Sequence, residues 1–483
     1  MTIRYHTRVL ASACAISMVS AGAWAAGEAK NVIFFLGDGM GPTTVTAARI
    51  YQYGESGRLA METLPRTARI KTFSLDAQTT DSAPSMSAYM TGVKMRNDVI
   101  SMDGATRAAG FAPSADANRV AVGVDNCPVT GNGAASKTLL ELAITKGKAS
   151  GVVTTARLTH ATPAASFAHV CHRDAEYEIA RQAVPGGAGY NPDLGAGVDV
   201  MLGGISYYWR PFPAAAAPTR GRADGRDLVA EMQARGYTFV TNKTEFDAAP
   251  IAPGAKLLGL FDQAVAQGHM SYELDRDPAR EPSLAEMTGK AIDILSKNGN
   301  GYFLMVEGGR IDHALHGTNA RRALADTIAF DDAIKAALAR VDLTNTLIVV
   351  TADHDHTMTF NGYPSKGNNI LGKVDNWQTP GVLAKSSDGK PFTTLVFGNG
   401  TGNGTASGGK SRQAVRDDLT SVDTTVKDYI QEYGVQLPGT SAGGETHGSG
   451  DVMLFSAGAG RAAFKGTLDN TAVFGLVKAA SGL

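Results

Sequence analysis

Runs of five or six apolar residues recur along the chain, each closed by a turn rich in Gly, Asp or His. Asn31-Val32-Ile33-Phe34-Phe35-Leu36, Gly151-Val152-Val153-Thr154-Thr155, Tyr302-Phe303-Leu304-Met305-Val306 and Thr346-Leu347-Ile348-Val349-Val350 show no alternation. That pattern predicts central parallel strands buried on both faces. Residues 198–202, 256–260 and 452–455 read as further strands. Between the strands, apolar positions recur at helical spacing. Leu284, Met287, Ala291, Ile294 and Leu295 mark an amphipathic helix. Residues 137–146, 226–235, 319–340 and a stretch from about Asn470 continue the alternation. Strand and helix in turn predict an α/β fold with three layers, a largely parallel central sheet flanked by helices. Its site is expected at the carboxyl edge of the sheet.

The chemistry-bearing residues follow the strands. The first strand ends in Gly37-Asp38-Gly39-Met40-Gly41, so a carboxylate lies where open α/β sheets place their ligands. The strand at 302–306 ends in Glu307-Gly308-Gly309-Arg310-Ile311-Asp312-His313-Ala314-Leu315-His316. Asp312 and His316 are one helical turn apart, on the same face, and the ligand types predict metal binding. The strand at 346–350 ends in Thr351-Ala352-Asp353-His354-Asp355-His356. Asp353 and His354 are candidate ligands there, and His356 is a candidate for fixing their orientation. Strand 151–155 leads to Thr159-His160-Ala161-Thr162-Pro163 and then to His169, His172 and Arg173. His160 and Thr162 are candidate metal-shell groups, and Arg173 a candidate phosphate clamp. Gly444-Glu445-Thr446-His447-Gly448 offers His447 as a third ligand beside Asp312 and His316, in a site with an open position. In Thr79-Thr80-Asp81-Ser82-Ala83-Pro84-Ser85-Met86, Ser82 is expected to cap a helix with Pro84 in its first turn. Such a helix start suits a phosphate.

Composition narrows the setting. The chain has 483 residues, 43% hydrophobic, with a formal net charge of −1. That balance gives no sign of a nucleic-acid or anionic-membrane partner. Arg4, His6 and Arg8 precede an apolar core at 9–18 and Ala23-Trp24-Ala25, so residues 1–25 are expected to be a cleaved signal peptide. The apolar run is too short to span a bilayer. The remainder, 26–483, is expected to be one exported catalytic domain, periplasmic or secreted. Export permits a disulfide, and once Cys14 is removed, Cys127 and Cys171 either pair or stand as separate buried thiols. Gly404-Thr405-Ala406-Ser407-Gly408-Gly409-Lys410-Ser411 matches a phosphate-loop pattern. It lacks the strand directly before it and the periodic helix after it, so a surface loop is expected.

Taken in order, the motifs at Asp38, Thr80-Asp81-Ser82-Ala83, His160-Ala161-Thr162-Pro163, Glu307 to His316, Thr351-Ala352-Asp353-His354 and Glu445-Thr446-His447-Gly448 resemble the alkaline phosphatase family. The resemblance spans nearly the whole mature chain. It implies an exported phosphomonoesterase acting on small phosphate monoesters through a phosphorylated Ser82, and a homodimer. It implies two zinc ions and one magnesium. Asp312, His316 and His447 would hold one zinc. Asp38, Asp353 and His354 would hold the other, which also contacts Ser82. Asp38, Thr162 and Glu307 would hold magnesium, and Arg173 the phosphate. His160 and His313 stand where many bacterial members carry Asp and Lys, so His160 is expected beside the third metal. A variable surface insert is expected at about 361–440. A phosphodiesterase or sulfatase of the same fold is the alternative.

Overall fold

The computed structural model describes residues 29–108, 133–204, 207–211, 221–222, 224–261, 268–400, 416–436 and 444–483. The expected signal peptide, Cys127 and the phosphate-loop-like stretch lie outside the described residues. Among the described residues, ten strands form one sheet: β1 (Asn31–Gly37), β2 (Arg66–Lys71), β3 (Ala149–Arg157), β4 (Val200–Gly204), β5 (Tyr237–Val240), β6 (Lys256–Phe261), β7 (Tyr302–Gly308), β8 (Thr346–Ala352), β9 (Val452–Gly458) and β10 (Gly466–Asp469). Their spatial order is β10-β2-β9-β8-β1-β7-β3-β4-β6-β5. From β8 to β5 every pairing is parallel. Strand β9 runs antiparallel between β8 and β2, and β10 is parallel to β2.

The continuous apolar runs are the central strands. Ile33, Phe34, Phe35 and Leu36 of β1 are fully buried, each contributing about 1.5–3 kcal/mol by leaving water. Neighbouring side chains point to opposite faces. Phe34 meets Tyr89 with ring centroids 5.6 Å apart, and Phe35 meets Phe330 edge-on at 5.9 Å. Helix α1 (Pro42–Tyr53) follows β1, Tyr89 lies on the next helix, α2 (Ser82–Thr91), and Phe330 on the long helix Ala320–Leu338, so helices cover both faces. The expected helix at 226–235 is shorter, Leu228–Gln233, capped by Asp227. Strand β2 was not expected, because Arg66-Thr67-Ala68-Arg69-Ile70-Lys71 is half exposed near the sheet edge and carries charges.

Register aligns the strand ends. Leu36 pairs with Glu307 and Thr351, and Gly37 with Gly308 and Ala352. Asp38 and Asp353 therefore follow β1 and β8 at matching positions, two residues beyond the level of Glu307 on the neighbouring β7. Away from this sheet, Met358–Phe360, Leu395–Gly400 and Tyr433–Gln436 form a small sheet, and Asp375–Asn376 pairs with Thr379–Leu383. Among the described residues, no helix is long and apolar enough to cross a membrane.

Candidate metal centre

Asp38, Glu307 and Asp353 are completely buried at those strand ends. The turn after β1 requires glycine at position 39. Its φ is +66°, and a Cβ there would lie 2.5 Å from the His356 ring. The Gly39 N–H donates to Asp353 Oδ1 at 3.0 Å, joining this turn to the one after β8.

Ser82 is the first residue of α2 rather than its cap. Asp81 takes the N-cap position in an extended conformation. The Asp81 carboxylate is engaged elsewhere: it accepts from the Asp98 N–H at 2.9 Å and pairs with Arg173. Ser82 Oγ lies 3.2 Å from His354 Nε2 and 3.4 Å from Asp38 Oδ1. His354 Nδ1–H donates to the Asp355 carbonyl at 3.1 Å, which leaves the Nε2 lone pair facing the cluster. That nitrogen is 3.3 Å from Asp38 Oδ1 and 3.5 Å from Asp353 Oδ2. Ligand atoms arranged tetrahedrally around zinc at about 2.0–2.1 Å stand about 3.3 Å apart. Asp38, Asp353, His354 and Ser82 fit that spacing.

A second cluster forms beside it. Asp312 and His316 share one face of the helix Arg310–His316, as their spacing predicted. His316 Nδ1–H donates to the Glu445 carbonyl at 2.5 Å, and His447 Nδ1–H donates to the Thr80 carbonyl at 2.9 Å. The two Nε2 lone pairs then face each other across 3.1 Å. Two acceptors at that distance repel unless a cation lies between them. Asp312 Oδ1 is 3.3 Å from His316 Nε2 and 3.6 Å from His447 Nε2, completing a three-ligand set. His356 adjoins this set but has no lone pair to offer. Its Nδ1 lies 2.6 Å from Glu445 Oε2 and its Nε2 2.8 Å from Asp312 Oδ1. Burial works against a charged His356, but the flanking Glu445 and Asp312 carboxylates outweigh it and hold its pKa well above the usual value.

The third group is defined by unmet polar atoms. Asp38 Oδ2, Thr162 Oγ1, Glu307 Oε1 and His160 Nδ1 are buried and have no hydrogen-bond partner among the described residues. Each such atom costs about 1–3 kcal/mol, and a cation satisfies several at once. Asp38, His160 and Glu307 offer ligand atoms within 4.8 Å of one another. The carboxylate and hydroxyl oxygens suit magnesium, whereas the imidazole suits zinc. His160 Nε2 also lies 3.2 Å from an Arg173 guanidinium nitrogen, so this group adjoins the arginine.

Charge agrees with geometry. Burial raises the Asp38 pKa well above the carboxylate range, and the Asp312 and Glu307 charges add to it. Burial lifts Glu307 to about 8, and burial with the Asp38 charge lifts Asp353 to about 7. Burial, helped by Arg157, pushes His160 down to about 4. His316 and His447 are likewise lowered by burial. Neutral imidazoles and crowded, dry carboxylates are what bound cations would stabilise.

All eleven candidate residues thus converge: Asp38, Ser82, His160, Thr162, Arg173, Glu307, Asp312, His316, Asp353, His354 and His447. Sequence reasoning missed the Asp81–Arg173 pair, the role of Glu445, and His269. The His269 ring stands 5.5 Å from His160 and 4.1 Å from His313, with centroids as reference. It belongs to no motif, and only the tertiary contacts mark it. Cys171 is disulfide-bonded.

A family model described as alkaline phosphatase matches residues 29–483. The chain is similar to the tissue-nonspecific alkaline phosphatase of Gallus gallus, 36% identical over 455 residues, covering 89% of this chain and 80% of that one. The Homo sapiens tissue-nonspecific isozyme is 36% identical over 458 residues, covering 89% and 79%. Among solved structures, the Thermus thermophilus alkaline phosphatase is 26% identical with a TM-score of 0.64, covering 95% of this chain and 93% of that one.

Proposed function

Since the chain belongs to the alkaline phosphatase family and is a metal-binding phosphoric monoester hydrolase, we propose that it works through a covalent phosphoserine on Ser82. The observation that carries this reading is the position of Ser82 Oγ, 3.2 Å from His354 Nε2 and 3.4 Å from Asp38 Oδ1, at the start of a helix. Asp312, His316 and His447 would hold one zinc. Asp38, Asp353 and His354 would hold the second, next to Ser82. Asp38, Thr162 and Glu307, with His160 beside them, would hold magnesium. When bound, these cations supply the Lewis-acid charge that stabilises the serine oxygen and the departing ester oxygen.

The chain's own residues do the rest. Arg173, anchored by Asp81 and by its own N–H to the Asp98 carbonyl at 2.7 Å, takes two non-bridging phosphate oxygens. The N–H groups of Ser82 and Ala83 have no intrahelical partner and favour the dianion. Ser82 Oγ attacks phosphorus in line as the bond to the ester oxygen breaks, and the serine proton leaves with the alcohol. Water then cleaves the phosphoserine, returning Ser82 and releasing inorganic phosphate.

Export, a homodimer, and an insert at about 361–440 remain part of the proposal, with small phosphate monoesters as the partners. The reading is tested by acid-quenching the zinc- and magnesium-loaded enzyme during turnover of a labelled aryl phosphate. Label on Ser82 supports it, and label on any other residue refutes it.

A further inference from the structure

Glu445 belongs to none of the three ligand sets, yet every ligand of the Asp312 cluster is tied to it. Its side chain is completely buried. One carboxylate oxygen accepts from the Thr357 N–H at 2.5 Å and from the Thr357 hydroxyl. The other accepts from His356 Nδ1–H at 2.6 Å. His356 passes that restraint on, donating through Nε2–H to Asp312 Oδ1 at 2.8 Å. The main chain holds the second ligand. The Glu445 carbonyl accepts from His316 Nδ1–H at 2.5 Å, and its N–H donates to the His316 carbonyl at 2.9 Å. Two residues further on comes the third ligand, His447. Thr446, between them, donates its N–H to Asn399 Oδ1 at 2.9 Å and accepts from Asn399 Nδ2 at 2.9 Å. The approach at Gly444 leaves no room for adjustment, since a Cβ there would lie 1.9 Å from the His316 carbonyl oxygen.

One residue therefore sets the oxygen that Asp312 presents, the tautomer of His316, and the start of the segment that carries His447. Hydrogen bonds on the far side of a ligand orient it, and losing them typically costs about 10- to 100-fold in metal affinity. We propose that Glu445 is a positioning residue that holds zinc in the Asp312–His316–His447 cluster, acting through His356 and the His316 ring without ligating. This rests on the metal assignment proposed above.

The test follows zinc release from the loaded enzyme into a chelator with a chromogenic zinc indicator, for wild type, Glu445→Gln and Thr357→Val. In Glu445→Gln, one of the two zinc ions should leave about 10- to 100-fold faster while the other keeps its wild-type rate. Activity lost by this variant should return when free zinc in the buffer is raised, which a purely structural defect would not allow. Thr357→Val removes one donor to the same carboxylate and should accelerate the same phase by a smaller factor. The thermal midpoint of the chelated proteins is measured alongside. Faster release with an unchanged midpoint supports the inference. A lowered midpoint with unchanged release makes Glu445 a structural residue and overturns it. If Glu445→Gln does not fold, an unchanged release phase in Thr357→Val overturns it alone. A wild-type enzyme that carries no zinc overturns the metal assignment, whereas a zinc-loaded wild type with equal release in both variants overturns only this inference.

Discussion

Replacing Arg173 with Ala isolates phosphate recognition, because a guanidinium is not a metal ligand. In the structure its NH1 pairs with Asp81, its NH2 reaches His160 Nε2 at 3.2 Å, and its side chain is 18% exposed. A charged hydrogen bond contributes about 1.5–3 kcal/mol. Two bonds to phosphate oxygens would double that, but NH1 is already shared with Asp81 and solvent screens the group, so the net effect is that of one bond. At 1.36 kcal/mol per tenfold, kcat/KM for an aryl phosphate should fall by about 10- to 150-fold. Inhibition by inorganic phosphate should weaken by a similar factor. Arg173→Lys should recover only part of the loss, because an ammonium lacks the planar fork. Asp81 keeps its bond from the Asp98 N–H at 2.9 Å, so folding should survive the change. Steady-state kinetics and metal analysis on the same preparations decide the matter. An unchanged kcat/KM, or loss of bound zinc from the Ala variant, would refute the reasoning.

Ser82→Ala should abolish the acid-stable phosphate label while leaving zinc content near wild type, read by quench labelling and metal analysis. Residual turnover should persist, because the ligand clusters and Arg173 remain. His160 introduces an imidazole into a group otherwise made of oxygen donors, so excess zinc should compete at the third site and inhibit, with magnesium restoring activity. His160→Asp with His313→Lys should reduce that inhibition, and identical zinc titrations with identical third-site occupancy would show that His160 does not tune this metal. Away from the metal groups, burial acts to lower the His169 pKa, but its hydrogen bond to Glu141 at 2.7 Å and that carboxylate's charge outweigh it and raise the pKa above 6.5. A raised folded-state pKa stabilises the fold fully below about 6.5 and is lost as pH rises through the folded value. The stability gap between wild type and His169→Gln, from urea midpoints, should therefore shrink as pH rises above about 6.5. A gap that stays constant or widens would contradict the linkage.

The sequence by itself determined the central strands and most of the ligands. Strands β1, β3, β7 and β8 are buried on both faces, so their runs are apolar throughout and end where polar ligand residues begin. The spacing of Asp312 and His316 was legible for a similar reason, since one helical turn is a local regularity. Strand β10, at one edge of the sheet, and β2, next to it, were not legible, because half-exposed strands there leave mixed composition. Tertiary structure alone decided the order β8-β1-β7, and with it the gathering of Asp38, Glu307 and Asp353 at neighbouring strand ends. It put Asp81 at the N-cap and Ser82 at the first residue of α2, and it brought Arg173, 92 positions from Asp81, onto the carboxylate of that N-cap residue. It gave His356, expected from the sequence to orient Asp353 and His354, a carboxylate on each ring nitrogen, Glu445 on one side and Asp312 on the other. The Ser82–His354 contact spans 272 positions. Local periodicity records which side of an element is buried. Which lone pair faces which neighbour depends on contacts between distant segments, and only the folded chain brings these together.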